Sequence, residues 1–201
     1  MSEAPARGNF IAGLNRGKEM GSKDPDFTGR LGVPGREHEH RLVLWTHRDS
    51  RGRAYFAGSI NGLPIDGNAL AQIERLADQH QTATGEVLEV APNLELGPRQ
   101  VILFHNGFKE PQATDTPEEA EKRAKRPDFW GRLNPGDGTP GVALSVWLRT
   151  DRYQNPLLTG STSYPIPGRT DGLDEQAPDQ ASAETGRKGR RRSGDEGRDE
   201  R

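Results

Sequence analysis

The sequence predicts a mainly β protein that contains two related three-stranded units. Three observations lead to this prediction. The phrase PDFTGRL at residues 25–31 returns as PDFWGRL at residues 127–133. Each copy is followed by short apolar segments whose residues alternate in polarity, which is typical of half-buried strands. Turn-forming Gly, Pro and Asp separate these segments, as they do between antiparallel strands.

The similarity extends beyond the shared phrase. At a constant offset of 102 positions, residues 25–61 contain 11 identities with the matching stretch. Unrelated chains of average composition would share roughly two. Beyond the phrase, the identical pairs are Leu42 and Leu144, Trp45 and Trp147, Asp49 and Asp151, Gly58 and Gly160, and Ser59 and Ser161. Because the chain has only 3 Trp, the matched tryptophans are the strongest sign of an internal duplication.

Each copy is predicted to form a three-stranded β-meander. Meander 1 has the strands DFTGRL, HRLVLWTH and AYFAGSI, and meander 2 has DFWGRL, VALSVWLR and LLTGSTS. In the middle strand of each meander, alternation directs Leu42 and Leu144 to one face and Trp45 and Trp147 to the other. We expect the leucine face to form the core.

The segment between the meanders predicts further elements. The stretch GNALAQIERLADQHQ has apolar residues at helical spacing and predicts a helix over 67–80. GEVLEVAP and RQVILFH then read as two strands, so that residues 26–105 follow the OB-fold-like order of three strands, a helix and two strands. A second, short charged helix is predicted after Thr116, which can act as its N-cap with Pro117 at the first helical position.

These elements give a predicted organisation in five parts. They are an N-terminal arm (1–24), a first β module with the helix 67–80 (25–106), a linker with the short charged helix (107–126), the second meander (127–167) and a tail (168–201). The tail has almost no apolar residues, so we expect it to be disordered.

Composition excludes several classes of protein. Without Cys the chain has no disulfide, thiolate zinc site or cysteine nucleophile. It has neither an apolar run of the ~18 residues that a membrane span needs nor a secretory signal pattern, so we expect a cytoplasmic protein without membrane contact. It also contains no phosphate-binding loop, GxSxG or HExxH motif. We therefore expect no enzymatic activity, no cofactor and no metal site.

Charge is distributed unevenly along the chain. The net charge is −2, but residues 23–60 carry +2, residues 122–153 carry +4 and residues 61–121 carry −8. Both copies of the repeat therefore lie in basic segments, and the stretch between them is acidic.

The polar faces and hairpins of the two meanders hold the candidate binding residues. An aromatic ring beside cations is what a base-stacking surface for single-stranded nucleic acid requires. The predicted site consists of Trp45, His47, Arg48, Arg51, Arg53, Tyr55, Trp147, Arg149 and Arg152. This prediction depends on the two indoles facing water. A helix or sheet that covers them would make them packing residues instead.

The motif residues resemble those of small phage, plasmid and integrative-element proteins that are grouped as domains of unknown function. Those proteins share a pattern close to P-D-(F/Y)-x-G…W…G-x-(Y/F)-x-S. It corresponds here to Pro25, Asp26, Phe27, Gly29, Trp45, Gly52, Tyr55 and, shifted by one residue, Ser59. Meander 2 departs from the pattern at Gln154 and Leu157. The resemblance implies an accessory protein of a mobile element and supplies no catalytic residues.

We expect a non-enzymatic binding module whose ligand is single-stranded DNA or RNA. Two alternatives stay open. The protein could be an accessory or inhibitory protein of a phage or mobile element that binds a protein partner through the acidic segment 61–121. It could also be a self-assembling subunit, with meander 2 completing its sheet on a neighbouring copy.

Overall fold

The structure is a closed β-barrel of eight antiparallel strands. It is a computed structural model that describes residues 6–82, 96–139 and 141–165, without the side chains of residues 74 and 76–82. The strands are β1 (Gly8–Leu14), β2 (Phe27–Gly32), β3 (Glu39–Arg48), β4 (Ala54–Ser59), β5 (Gln100–His105), β6 (Phe129–Leu133), β7 (Val142–Thr150) and β8 (Pro156–Ser163). Each strand pairs with the next one in the chain, and β8 pairs with β1. The prediction of a mainly β protein is confirmed.

Among the described residues, two α-helices and one helical turn accompany the barrel. Helix α1 (Gly67–Thr82) includes the predicted helix 67–80, and a 3-10 turn covers Gly107–Lys109. Helix α2 (Pro117–Ala124) starts as the sequence predicts, because the Thr116 side chain accepts a hydrogen bond from the backbone N–H of Glu119. The Glu119 carboxylate accepts one from the backbone N–H of Thr116 in return, which completes a capping box.

The barrel differs from the predicted OB-fold-like arrangement. An OB-fold is a five-stranded barrel with Greek-key connections, whereas here all eight strands follow one another around the barrel. The predicted strand RQVILFH corresponds to β5, which pairs with β4 and β6. The other predicted strand, at residues 85–92, and the tail at 168–201 lie outside the described residues. The order of elements along a chain does not determine which strands close a barrel, and this is why the prediction differs.

The N-terminal arm contributes a strand that the sequence pattern does not predict. Residues 8–14 form β1, which joins β2 to β8 and closes the barrel. Only Phe10 and Ala12 of this strand are buried. Gly8 and Gly13 also lower its strand propensity, so the segment carries a weak signal.

Apolar side chains from all eight strands fill the barrel. An eight-stranded barrel is just wide enough for its inward side chains to meet at the centre. The buried cluster comprises Phe10, Ala12, Phe27, Leu31, Val33, Leu42, Leu44, Phe56, Ile60, Val101, Leu103, Phe129, Leu133, Val142, Leu144, Val146 and Leu158. The phenylalanines of the repeated phrase both contact Phe56 edge-to-face, with ring centroids 5.4 and 5.0 Å apart.

A second apolar cluster lies outside the barrel, on β4, β5 and β6. Helix α1 contributes Ile73 to it, which is only 4% exposed. The strands contribute Tyr55, Ala57, Ile102, Phe104 and Trp130. One side of the barrel is therefore covered by helix α1, and its outward aromatic residues serve packing.

Candidate nucleic-acid interface

The Pro-Asp pair that opens each repeated phrase anchors the loop at the upper end of the barrel, where β1, β3, β5 and β7 end. The Asn15 side-chain amide donates to the carbonyl oxygen of Pro25 at 2.9 Å, and that of Asn106 donates to Pro127 at 2.8 Å. The backbone N–H groups of the same two asparagines donate to the residues that follow the prolines, at 2.7 and 2.9 Å. The same interactions thus hold both loops.

The two aspartates of the phrases bind the backbone of the middle strands. Asp26 Oδ2 accepts from the backbone N–H of Thr46 at 2.8 Å, and Asp128 Oδ2 accepts from that of Leu148 at 2.8 Å. A carboxylate that accepts backbone hydrogen bonds stabilises the loop in its charged form. These aspartates are therefore structural residues of the fold.

Each aspartate also pairs with a lysine. Lys18 Nζ lies 2.7 Å from Asp26 Oδ1, and Lys109 Nζ lies 2.7 Å from Asp128 Oδ1. Burial raises the pKa of Asp26. The hydrogen bonds from Lys18 and from the Thr46 backbone lower this pKa by more than burial raises it, so the pKa lies below its ordinary value of 3.8. Both lysines are held by these ion pairs and do not contribute free charge to the upper end.

The two matched tryptophans donate hydrogen bonds to equivalent residues, one in each copy. The Trp45 Nε1–H donates to the carbonyl oxygen of Lys23 at 2.9 Å, and that of Trp147 donates to Lys125 at 3.1 Å. Trp147 is buried, with 2% of its surface exposed, while Trp45 is half-buried. The prediction of two solvent-facing indoles is wrong for Trp147, which is buried and lies against the chain at Lys125, just before β6.

Tyr55 is also unavailable for stacking on a base. It is 2% exposed and belongs to the apolar cluster under helix α1. The half-buried imidazole of His47 lies against its ring, with centroids 5.2 Å apart and the planes 25° apart. The sequence pattern placed Tyr55 on the polar face, but it could not show that α1 packs on that face.

The predicted arginines occupy different environments. Arg53 Nε and Nη1 lie 3.4 and 3.5 Å from carboxylates of Asp49 and Glu110, so Arg53 is neutralised within the fold. Burial, and then the charge of Arg53, lower the pKa of His105 below 6.5. The remaining predicted arginines are Arg48 and Arg51, which are exposed on the β3–β4 hairpin, and Arg149 and Arg152 on the β7–β8 hairpin.

The two hairpins have the same turn. The backbone carbonyl oxygens of Asp49 and Asp151 each accept a hydrogen bond from the N–H of the residue three positions later, at 2.9 and 3.0 Å. Gly52 and Gln154 occupy that third position with φ angles of 78° and 64°. The departure of Gln154 from the glycine of the motif therefore leaves the turn unchanged, although a left-handed backbone conformation favours glycine.

The outer face of β2 and β3 presents cations to solvent. Arg30 and Arg41 are register partners on adjacent strands, and both are exposed. Arg30 Nη1 lies 3.6 Å from Glu39 Oε2. At the matching positions of meander 2, Arg132 is 7% and Ala143 is 2% exposed. The candidate site residues did not include Arg30 and Arg41, although alternation places Arg41 on the same strand face as Trp45.

Neither a metal-binding cluster nor a membrane-spanning helix occurs among the described residues. Within 6–82, 96–139 and 141–165, no group of three His, Asp or Glu side chains could hold a metal ion. In the same part of the chain, no helix is both long enough and apolar enough to cross a membrane. Comparison with protein-family models, with curated proteins and with solved structures finds no match to this chain.

Proposed function

We propose that the protein is a non-enzymatic binding module for single-stranded nucleic acid and that the ligand lies along the outer face of β2 and β3. The observation that carries this proposal is the facing pair Arg30 and Arg41, with the half-buried Trp45 farther along the same strand face. We call Arg30, Arg41, Trp45 and His47 the basic face. It retains Trp45 and His47 of the predicted site and adds Arg30 and Arg41.

The arginine pair supports ligand binding because the fold gains little from it. Like charges directly opposite each other on neighbouring strands destabilise a sheet. Glu39 relieves the repulsion only in part, because it lies 3.6 Å from Arg30 and this pair is largely exposed. A phosphate bound between Arg30 and Arg41 would neutralise both guanidinium groups through bidentate hydrogen bonds.

The length of the basic face suits an extended strand. Arg41 and Trp45 are four residues apart on β3, which corresponds to about 13 Å along the sheet. Proteins that hold single strands combine cations along the backbone with an aromatic ring for stacking. Only one indole is accessible here, so phosphate contacts provide most of the affinity. We therefore expect little sequence preference and a strong dependence on salt.

The alternative of an acidic protein-binding surface receives less support from the described part of segment 61–121. Its carboxylates around α2 are paired locally. Glu118 and Glu121 lie 2.8 Å from Lys122 and Lys125. Asp115 lies 2.8 Å from Arg123. Such pairs present a mixed surface rather than the uniform negative field that would attract a basic partner.

Self-assembly through an incomplete sheet also receives less support. That hypothesis needs an unpaired edge in meander 2, but β8 pairs with β1 over six register positions from Gly8 to Gly13. A closed barrel has no edge strand to offer to a neighbouring copy. The binding hypothesis remains the one that the described geometry favours.

Replacement of Arg41 by Ala tests the proposal. Ala143 occupies the matching position in meander 2, so we expect the variant to fold. Binding of a fluorescein-labelled oligothymidylate, measured by anisotropy, should weaken about tenfold. The salt dependence of log K should decrease by about 0.7 for the lost phosphate contact. The free energy of unfolding should rise by a few tenths of a kcal/mol, since like-charge repulsion is removed.

Arg75→Ala is the matched control, because Arg75 is exposed on helix α1 and its Nε donates to the carbonyl oxygen of Ala71. This variant should bind the oligonucleotide as the wild type does. The proposal is wrong if the wild-type protein does not bind at low salt. It is equally wrong if Arg41→Ala and Arg75→Ala have the same effect on binding.

A further inference from the structure

We infer that the upper rim of the barrel beside β7, β8 and β1 is a docking site for a protein segment that combines apolar and acidic side chains. We call Leu14, Leu148, Tyr153 and Pro156, with Arg16 and Arg152, the rim patch. It lies outside the basic face and does not depend on nucleic-acid binding.

Three large apolar or aromatic side chains of the rim patch are open to solvent. Leu14, Leu148 and Tyr153 are 40%, 48% and 58% exposed. Leu14 ends β1 and Leu148 lies near the end of β7, with only β8 between these strands. Neighbouring strands are ~4.8 Å apart, so the strands that carry the two leucines lie about 10 Å apart. Exposed Pro156 lies at the start of β8, between them.

The other half of the barrel shows that the fold does not require these side chains. Thr46 replaces Leu148, and Arg51 replaces Tyr153, at the positions matched by the repeat. His105 replaces Leu14, because each of these two residues directly precedes the asparagine that binds a proline carbonyl. The same framework therefore forms with polar side chains. Apolar residues kept in water without a structural need indicate an interaction surface.

Tyr153 is held in place before any partner arrives. The Cζ atoms of Arg16 and Arg152 lie 4.8 and 4.6 Å from the centre of its ring. Arg16 is itself fixed by Asp151 at 2.8 Å. Tyr and Arg are the side chains that most often dominate binding energy at interfaces, and an ordered ring loses less entropy on binding.

The charge of the rim patch identifies the chemistry of the partner. Hydrogen bonds to Asp151, first from the backbone N–H of Asn155, lower the pKa of Asp151 to about 2, so that it stays ionised at neutral pH. Arg16 and Arg152 outnumber this one carboxylate, which leaves the patch positive. An acidic segment is electrostatically complementary, and its apolar side chains would cover Leu14 and Leu148. The aliphatic half of the patch favours a protein over a nucleic acid.

Selection from a random-peptide phage library against the full-length chain tests this inference. The enriched peptides should combine Asp or Glu with aliphatic or aromatic residues. A labelled synthetic copy of an enriched peptide should bind Leu148→Thr and Tyr153→Arg about tenfold more weakly than the wild type. Both variants carry the residue that meander 1 has at that position, so both should fold. Arg41→Ala should bind the peptide as the wild type does.

The remaining outcomes contradict the inference. It is wrong if selection yields no acidic and apolar consensus, or if Tyr153→Arg leaves the affinity for the peptide unchanged. It is also wrong if Tyr153→Ala weakens binding of oligothymidylate but not of the peptide, since the rim would then bind nucleic acid. Tyr153 lies in an exposed turn, so its variants remain informative even if Leu148→Thr does not fold.

Discussion

Meander 1 and meander 2 have the same backbone framework but differ in the residues that they expose to solvent. On the outer face of meander 1, Arg30 and Arg41 are exposed, whereas Arg132 and Ala143 at the matching positions of meander 2 are buried. At the upper rim the polarity is reversed, because meander 2 exposes Leu148 and Tyr153. Identical residues can therefore differ in exposure between the two copies, since Arg30 is exposed and the matching Arg132 is buried.

The shared framework begins one strand earlier than the repeated phrase. The Asn15 and Lys18 contacts after β1 have the same geometry as the Asn106 and Lys109 contacts after β5. These pairs are 91 positions apart, compared with 102 for the phrase. The 11 additional residues lie between β5 and β6, in the segment that contains α2. The two halves of the barrel therefore correspond as β1–β4 and β5–β8.

The prediction with the largest expected effect tests whether the strands approach each other equally closely in both halves of the barrel. A Cβ at Gly29 would overlap the carbonyl oxygen of Ile11, and one at Gly131 would overlap that of Ile102. We expect Gly29→Ala and Gly131→Ala each to lower the free energy of unfolding by at least about 3 kcal/mol, because strand backbone has to move. Urea unfolding followed by circular dichroism measures this.

Gly13→Ala is the control for both glycine variants. Its new Cβ would lie 3.8 Å from the nearest atom, Leu157 Cδ1, which is an ordinary contact. This variant should unfold within about 0.5 kcal/mol of the wild type. Equal stability of Gly131→Ala and Gly13→Ala would show that the strands do not approach each other as the structure has them.

The matched tryptophans should contribute different amounts to the free energy of unfolding in the two halves, and this effect should be smaller than that of the glycines. Trp147→Phe removes a buried indole and its hydrogen bond to Lys125, and should cost about 2 kcal/mol. Trp45→Phe removes the same hydrogen bond from a half-buried site and should cost about half as much. Acrylamide should quench the fluorescence of the protein less after Trp45→Phe, because the most accessible indole is gone. A larger loss of stability for Trp45→Phe would contradict the difference in burial.

Local patterns predict the strands and helices of this chain better than its surfaces. Alternation identified the middle strands, with Leu42 and Leu144 in the core, and the cap at Thr116 marked the start of α2. Closure could not be predicted, because it depends on β1, whose signal is weak. The burial of Tyr55 and Trp147 depends on segments distant in sequence that pack over them, and alternation indicates a strand face without showing what covers it.

The smallest expected effect concerns the turn that meander 2 builds without glycine. Gln154 has φ 64° where Gly52 has φ 78°. Relief of the left-handed strain in Gln154→Gly should contribute about 1–2 kcal/mol. The greater freedom of glycine in the unfolded chain should cost about 0.4–1 kcal/mol. The net increase in the free energy of unfolding should thus lie between about 0 and about 1.6 kcal/mol, with a midpoint of ~0.8 kcal/mol. Gly52→Gln should change it by a similar amount in the opposite direction. Since both turns have the same hydrogen bonds, equal signs for the two variants would mean that side-chain contacts, rather than the backbone, decide the stability of these hairpins.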